Sequence, residues 1–269
     1  MPEGHTLFRL AREQHAAFAG REVHVTSPQG RFAGQAELLD GRVLDEVTSY
    51  GKHLFAAFGP DVVHVHLGLY GKFTTGAGTP PAPVGALRMR WEADGPDGAG
   101  VWTDLRGATA CEVLTDGEVD GILARLGPDP LRRRADPGRA YARIGRSRTA
   151  IGALLMDQSV LAGVGNVYRA EILFRHGVSP FRPGREVDPE CWTAMWTDLV
   201  GLMKDGVKAG RIITTRREHR ARKRGVPDVA DAHYVYRRTG LPCRICGTDV
   251  RTEEMVGRNL YWCPVCQAR

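Results

Sequence analysis

Cys243-Arg244-Ile245-Cys246, then sixteen residues, then Cys263-Pro264-Val265-Cys266: this stretch near the end of the chain organises the reading of everything before it. Two C-x-x-C pairs at that separation supply four thiolates, the donor set and spacing of a tetrahedral structural zinc site. Each pair makes a tight knuckle, and the residues between them form a hairpin. Two disulfides are the alternative. The start Met1-Pro2-Glu3-Gly4-His5 has neither the basic opening nor the apolar stretch of a signal peptide, so a cytoplasmic chain is expected, where disulfides are disfavoured. Cys111 and Cys191 stand alone and read as small core residues.

Working back from the cysteines, Arg216 to Arg224 is densely basic and lacks apolar periodicity, which predicts a mobile loop. Asp188-Pro189 reads as a helix cap followed by a first-turn proline, opening a helix that carries Trp192, Met195, Leu199 and Leu202. Ile151, Leu154 and Leu155 share a helical face. Gly127 to Arg139, rich in proline and arginine, reads as a linker. Before it, the pattern changes from helical to alternating. Val63-His64-Val65-His66-Leu67 and Leu87-Arg88-Met89-Arg90-Trp91 predict strands, and Asp94 to Gly98 predicts a turn. Thr6 to Phe18 predicts one helix, with Leu7, Leu10, Ala11 and Phe18 near one face and Gly20 just beyond its end.

The chain has 269 residues, 42% of them hydrophobic, enough for a packed core, and no apolar run of membrane-spanning length. Its net charge of +6 is unevenly spread. Residues 1–122 carry 10 Lys and Arg against 16 Asp and Glu, a balance of −6; residues 123–269 carry 27 against 15, a balance of +12. A basic half beside an acidic one suits a polyanion bound on one face, where cations displace phosphate counterions, although a solvated arginine-rich surface would give the same totals.

The candidate chemistry starts at the first residues. Removal of Met1 before the small Pro2 would expose a secondary amine. An α-amino group has a pKa of about 7.7–8.0, so part of it is neutral near pH 7 and able to attack an electrophilic sugar carbon, forming an iminium without a catalytic lysine. Glu3 stands beside it as a general acid. By itself Met-Pro-Glu is an ordinary start. It gains meaning from three further motifs in order: Gly51-Lys52-His53-Leu54; Asp157-Gln158-Ser159-Val160-Leu161-Ala162-Gly163-Val164-Gly165-Asn166-Val167-Tyr168; and Gly257-Arg258 with Tyr261-Trp262-Cys263-Pro264-Val265-Cys266-Gln267. With these the chain resembles, over essentially its whole length, the formamidopyrimidine-DNA glycosylase / endonuclease VIII family of DNA-repair enzymes.

The resemblance implies roles. Pro2 is the nucleophile on C1′ of the damaged nucleotide, and Glu3 protonates the sugar ring oxygen. Lys52 and Arg258 hold phosphates at the lesion. Asn166, after two glycines, grips the backbone from the helix–two-turn–helix element. Zinc, one ion on Cys243, Cys246, Cys263 and Cys266, is structural, and no catalytic metal is implied. Leu69 and Tyr70 fall where the endonuclease VIII branch keeps its wedge into the hole left by a flipped base, but Gly68 stands where that branch has glutamine. In the stretch Asp104 to Ala108, Arg106 is the one arginine that matches the other branch's Arg-Arg-Phe cluster, whose aromatic wedge is missing. The missing aromatic wedge favours the endonuclease VIII branch and oxidised pyrimidines as substrates. Thr6 replaces a common glutamate. His64 and His66, alternating on one strand, read as a polar sheet face rather than a metal site.

The expected architecture is α+β in two lobes: an N-terminal β-sandwich with flanking helices (1–122), a linker and helix–two-turn–helix lobe (123–234), and a closing zinc ribbon (235–269). The resemblance implies a monomer that binds double-stranded DNA, with oxidised bases or abasic sites, in a basic cleft. It implies a bifunctional glycosylase and abasic-site lyase working by Schiff base and β,δ-elimination. An abasic-site lyase with weak glycosylase activity and a non-catalytic damage binder are the alternatives.

Overall fold

The computed structural model of the chain describes residues 2–95, 98–223, 225 and 227–268. Met1, Pro96 and Asp97 of the expected 94–98 turn, and Arg224 at the end of the basic segment, lie outside the described residues. The chain divides into two compact units, residues 1–125 and 126–269.

In the first unit α1 (Gly4–Phe18) precedes nine strands and two further helices: β1 (Arg21–Thr26), α2 (Ala33–Leu39), β2 (Arg42–Leu44), β3 (Glu46–Tyr50), β4 (His53–Phe58), β5 (Asp61–His66), β6 (Lys72–Ala77), β7 (Leu87–Asp94), β8 (Gly100–Arg106), β9 (Ala110–Thr115) and α3 (Asp116–Ala124). The strands form two antiparallel sheets, ordered β2-β1-β7-β8-β6 and β3-β4-β5-β9. Alternating side chains of both enter one core: Val23, Val25, Met89, Trp91 and Leu105 from the first, and Leu54, Ala56, Val63, Val65 and Cys111 from the second. This is a β-sandwich, because an antiparallel sheet with one apolar face must bury it against another layer. Leu7, Leu10, Ala11 and Phe18 of α1 join the same core, as the helical spacing predicts, and α1 lies along β3. Gly20, just past its end, has φ +75.

The second unit is helical: α4 (Pro137–Ile144), α5 (Ile151–Leu154), α6 (Asn166–Arg175) and α7 (Pro189–Ala209), followed by the ribbon β10 (Arg251–Met255) and β11 (Arg258–Trp262). Asp188 caps α7 as expected, its carboxylate accepting from the Cys191 amide at 2.7 Å, with Pro189 in the first turn. Ile151, Leu154 and Leu155 are buried in the helical core. The expected linker is not a loose one. Residues 126–130 are buried, and the Gly127 amide donates to the Gln158 carbonyl at 2.9 Å, so the start of the segment is packed into the second unit; Pro137 to Arg139 already belong to α4. Proline and arginine content signalled irregular backbone here, and burial came from a distant partner, Gln158.

The basic segment is also more structured than composition suggests. Arg217–His219 form a short 3-10 turn, Arg220 donates to Thr215 through Nε at 3.0 Å, and the amides of Ala221 and Arg222 donate to the Asp231 carboxylate at 3.0 and 3.4 Å.

Candidate active site

Pro2 lies immediately before α1 and is half-buried; Glu3 occupies the N-cap position, with its side chain fully buried. The Thr6 amide donates to the Glu3 carbonyl at 2.8 Å, fixing the entry into the helix. His5 is buried too. Desolvation, reinforced by the positive charge of Arg9, lowers its pKa to about 4, so the ring is neutral at physiological pH, with Nε2 3.2 Å from the Thr6 hydroxyl. Thr6 thus takes the place of the family's glutamate with a neutral hydrogen-bonding group.

Lys52 sits at the tip of the β3–β4 hairpin. Tyr50 pairs with His53, leaving Gly51 and Lys52 as the two-residue turn, and Gly51 has φ +57, a conformation glycine takes without steric cost. The turn therefore sets the lysine at one end of a sheet fixed by the core.

Leu69 and Tyr70 are on the β5–β6 loop and are 45% and 85% exposed, unusual for side chains of their size. The loop leaves no room for the missing glutamine. Gly68 has φ +64, and a Cβ there would stand 2.3 Å from the Thr109 hydroxyl. The same loop runs beside Arg106: a Cβ built on Gly107 would be 3.0 Å from the Tyr70 carbonyl. Arg106 itself is held, donating through Nη1 to Asp104 at 2.9 Å, while Arg90 forks onto the same carboxylate at 2.6 and 3.0 Å. Hydrogen bonds and charges of both arginines keep the Asp104 pKa low against its burial. Removing one partner of such a buried pair costs about 3–5 kcal/mol.

In the second unit the structure joins Asn166 to the ribbon. Gly165, not Asn166, is the N-cap of α6, and the Asn166 side chain does other work: its Nδ2 donates to the Asn259 carbonyl at 2.9 Å, and its Oδ1 accepts from Arg169. Arg169 is fully buried and also reaches the carbonyls of Gly152 at 3.4 Å and Met255 at 3.3 Å. Arg258 is exposed on β11, one residue before Asn259, directly after the turn Val256-Gly257. Asn166 and Arg258 are therefore braced together through Arg169.

Arg169 and Glu171 were not foreseen from sequence, although both are charged residues in a helix whose nine residues Asn166 to Phe174 are all buried. Glu171 accepts from the amides of Tyr234, Val235 and Tyr236 at 2.7, 2.8 and 2.8 Å and from the Thr214 hydroxyl. One carboxylate thus ties both ends of the basic loop to α6. A charge in an apolar helix run is the signal that could have found them, since charged groups are fully buried only when paired.

The four cysteines of the ribbon converge. Their sulfurs all lie within 4.8 Å of one another, with Cys243 to Cys266 at 3.8 Å and Cys246 to Cys263 at 3.4 Å, and none is in a disulfide. A tetrahedron of 2.3 Å zinc–sulfur bonds has edges of about 3.8 Å. The amides of Ile245 and Cys266 point at the Cys243 and Cys263 sulfurs at 3.5 Å, the knuckle arrangement that supports thiolates. The residues fit one structural zinc with four protein ligands.

Three domain models match the chain: the formamidopyrimidine-DNA glycosylase N-terminal domain over residues 1–111, the formamidopyrimidine-DNA glycosylase H2TH domain over 126–218, and the zinc finger found in FPG and IleRS over 240–269. Endonuclease 8 1 of Mycobacterium tuberculosis is 55% identical over 99% of this chain and 100% of its own length. The chain belongs to the formamidopyrimidine-DNA glycosylase / endonuclease 8 family. Within it, DNA-(apurinic or apyrimidinic site) lyase Nei2 of Mycolicibacterium smegmatis is 34% identical over 99% of each chain. The fold is also that of Lactococcus lactis Fpg in complex with abasic-site DNA, at a TM-score of 0.79 and 19% identity over 99% of this chain and 100% of that one. Among the described residues no helix is long and apolar enough to cross a membrane.

Proposed function

We propose that this family member is a bifunctional DNA glycosylase and abasic-site lyase of base excision repair, acting in the cytoplasm as a monomer on double-stranded DNA with oxidised pyrimidines or abasic sites. The observation that carries the reading is Pro2 placed one residue before Glu3, a carboxyl with no exposed surface at the rigid start of α1. The end-to-end match to endonuclease 8 supports the same chemistry. Lys52, Arg258 and Asn166 bind phosphates flanking the lesion. Leu69 and Tyr70 fill the gap left by the flipped nucleotide, with Arg106 beside them. Residues 1–122 carry the chemistry, 123–234 the helix–two-turn–helix grip and 235–269 the zinc module.

In the proposed sequence, the neutral nitrogen of Pro2 forms a bond to C1′ and the base leaves with the glycosidic electron pair. The ammonium so formed passes its N–H proton to the departing base; Glu3 then gives its proton to the ring oxygen as the C1′–O4′ bond breaks, and the electron pair freed on nitrogen completes the iminium. The iminium acidifies C2′, so loss of that proton expels the 3′ phosphate. A second elimination expels the 5′ phosphate, and hydrolysis releases Pro2.

A second reading, an abasic-site lyase with weak glycosylase activity, is favoured by Gly68, whose geometry excludes a glutamine wedge. Borohydride trapping separates the two. The mature enzyme is expected to give a covalent adduct with a duplex carrying an oxidised pyrimidine and with one carrying an abasic site, and an N-terminally extended form to give neither. An adduct on the abasic duplex alone would select the lyase. Equal trapping by the extended form would remove Pro2 from the mechanism and assign the Schiff base to another amine, whereas no adduct from the mature enzyme on either duplex would revive the non-catalytic binder.

A further inference from the structure

Beside the Lys52 hairpin, the outward face of the second sheet carries a group of side chains that the proposed chemistry does not use. The register places His53 of β4 opposite His66 of β5, Phe55 opposite His64, and His64 opposite Glu112 of β9. The rings run in a column: Phe55 to His64 at 5.3 Å, His64 to His53 at 5.1 Å, and His53 to His66 at 5.1 Å between centroids. Within the column runs a hydrogen-bond chain. Glu112 Oε1 lies 2.9 Å from His64 Nδ1, and His64 Nε2 lies 2.8 Å from His53 Nδ1.

The chemistry of the donors fixes the direction of this chain. An ionised carboxylate only accepts, so His64 donates from Nδ1. With one proton on the His64 ring, its lone pair is on Nε2, and His53 donates to it from Nδ1. Both rings carry their proton on the nitrogen that free histidine uses less, and Nε2 of His53 is left as the acceptor end. Burial above all, with His64 and His66 competing for the proton and the charges of Arg125 and Lys52 nearby, lowers the His53 pKa to about 3, so the ring keeps this neutral form. His66 is set the other way: its Nδ1 accepts from the Gly68 amide at 3.2 Å, leaving the proton on Nε2. His53 is also the residue that closes the turn bearing Lys52, paired across it with Tyr50.

We propose that the Glu112–His64–His53 chain is a positioning device for Lys52, holding the His53 ring in one tautomer and one orientation so that the turn presents the lysine to phosphate in a fixed place. This rests on the reading of Lys52 as a phosphate contact. His64 and His53 are positioning residues and Glu112 sets the polarity of the chain. Without the carboxylate, His64 reverts to Nε2–H, the hydrogen bond to His53 reverses, and His53 exposes a donor beside a cation.

The test uses the full-length zinc-loaded enzyme. The Glu112 side chain is 48% exposed, so Glu112→Ala leaves the core intact. Long-range proton–nitrogen correlation spectra of the histidines are expected to show protonated Nδ1 on His53 and His64 in the parent, and Nε2–H on both in Glu112→Ala. On an abasic duplex Glu112→Ala is expected to lower kcat/KM about five- to ten-fold, mostly through KM, as coupled neighbours do. Glu112→Gln, whose amide oxygen still accepts from His64, is expected to recover most of the loss. The decisive arm is the cycle with Lys52→Ala: in that background Glu112→Ala should cost nothing further. Additive losses beside a costly Lys52→Ala, or a reversed tautomer with unchanged kinetics, would overturn the positioning role alone. A harmless Lys52→Ala would overturn the phosphate assignment beneath it.

Discussion

Two hairpins each present one cation at a two-residue turn, Lys52 within it and Arg258 just after it, and they are held in opposite ways. The β3–β4 turn carrying Lys52 is an extension of a four-stranded sheet whose other face is sealed in the apolar core with α1. The β10–β11 turn preceding Arg258 belongs to a two-stranded ribbon whose ten residues are mostly exposed, too small a pair to be stable alone. What the second lacks in buried area it replaces with two polar anchors, the cysteine cluster at its base and the Asn166–Arg169 brace at its turn. One cation stands on a hairpin carried by hydrophobic packing, with the histidine chain only trimming its turn, and the other on a ribbon carried by metal and hydrogen bonds, so the two should fail under different insults.

Zinc removal is the largest expected effect. Chelation strong enough to strip the metal should lower duplex affinity by about 100-fold or more, because the ribbon loses most of its folding energy with the ion. Amide exchange should rise throughout Arg251 to Trp262 while β3 and β4 keep their protection. A metal-free enzyme, with zinc loss confirmed by elemental analysis, whose ribbon amides stay protected would break the comparison outright.

Next is the brace. Arg169→Met keeps the side chain's length and apolar stem but removes the donors to Asn166 and to the Met255 and Gly152 carbonyls. Each buried acceptor left unmade costs about 1–3 kcal/mol. Duplex binding should weaken about ten-fold, zinc should stay bound, and Arg258→Ala in the same background should cost less than it does alone. Full additivity would mean that Asn166 and Arg258 are placed independently. Measured singly, Lys52→Ala and Arg258→Ala should each lower the salt dependence of binding by roughly one phosphate contact.

Acid should act on the first unit through two desolvated histidines, His53 beside the Lys52 turn and His5 on α1. His53 is lowered to about 3 and His5 to about 4, both below the 6.5 of an unfolded chain. A histidine with a depressed folded pKa binds its proton more readily when unfolded, so stability is fully present above pH 6.5 and is lost as the pH falls toward about 4. The melting midpoint of the first unit should fall over that window, and His5→Gln should flatten the fall. A midpoint independent of pH between 6.5 and 4.5 would contradict the burial of these rings in the neutral form.

How much of this was legible in the sequence follows the distance between partners. The zinc spacing, the Asp188 cap and the apolar face of α1 are local patterns, and each was readable. The brace was not: Arg169 meets Met255, 86 residues on, and Glu171 meets the amides of Tyr234 to Tyr236, 63 to 65 residues on. The histidine chain was half-visible. The alternation of His64 and His66 marked a polar face, but His53 and Glu112 arrive only through the strand register. The residues around Gly127 misled for the same reason, since their composition is that of a linker and their burial depends on Gln158.

The smallest expected effect lies in the turns themselves. Gly51 supplies the left-handed position of the first hairpin, whereas the second puts Val256 at φ +55 before Gly257 at φ +62. Two successive positive φ values are what a type I′ turn demands, and Asn-Gly is its preferred pair. A β-branched residue there is strained by about 1–2 kcal/mol. Val256 is 62% exposed, so little apolar burial offsets that cost. Val256→Asn should therefore stabilise the ribbon by about 1 kcal/mol, seen as slower amide exchange in β10 and β11, whereas Gly51→Ala should destabilise the other hairpin by a similar amount. The activity of Val256→Asn then discriminates. Unchanged kcat/KM would mean that the metal and the brace alone place Arg258. A loss of activity alongside the gain in stability would mean that the strained valine itself meets the duplex, as backbone strain retained at a functional surface implies.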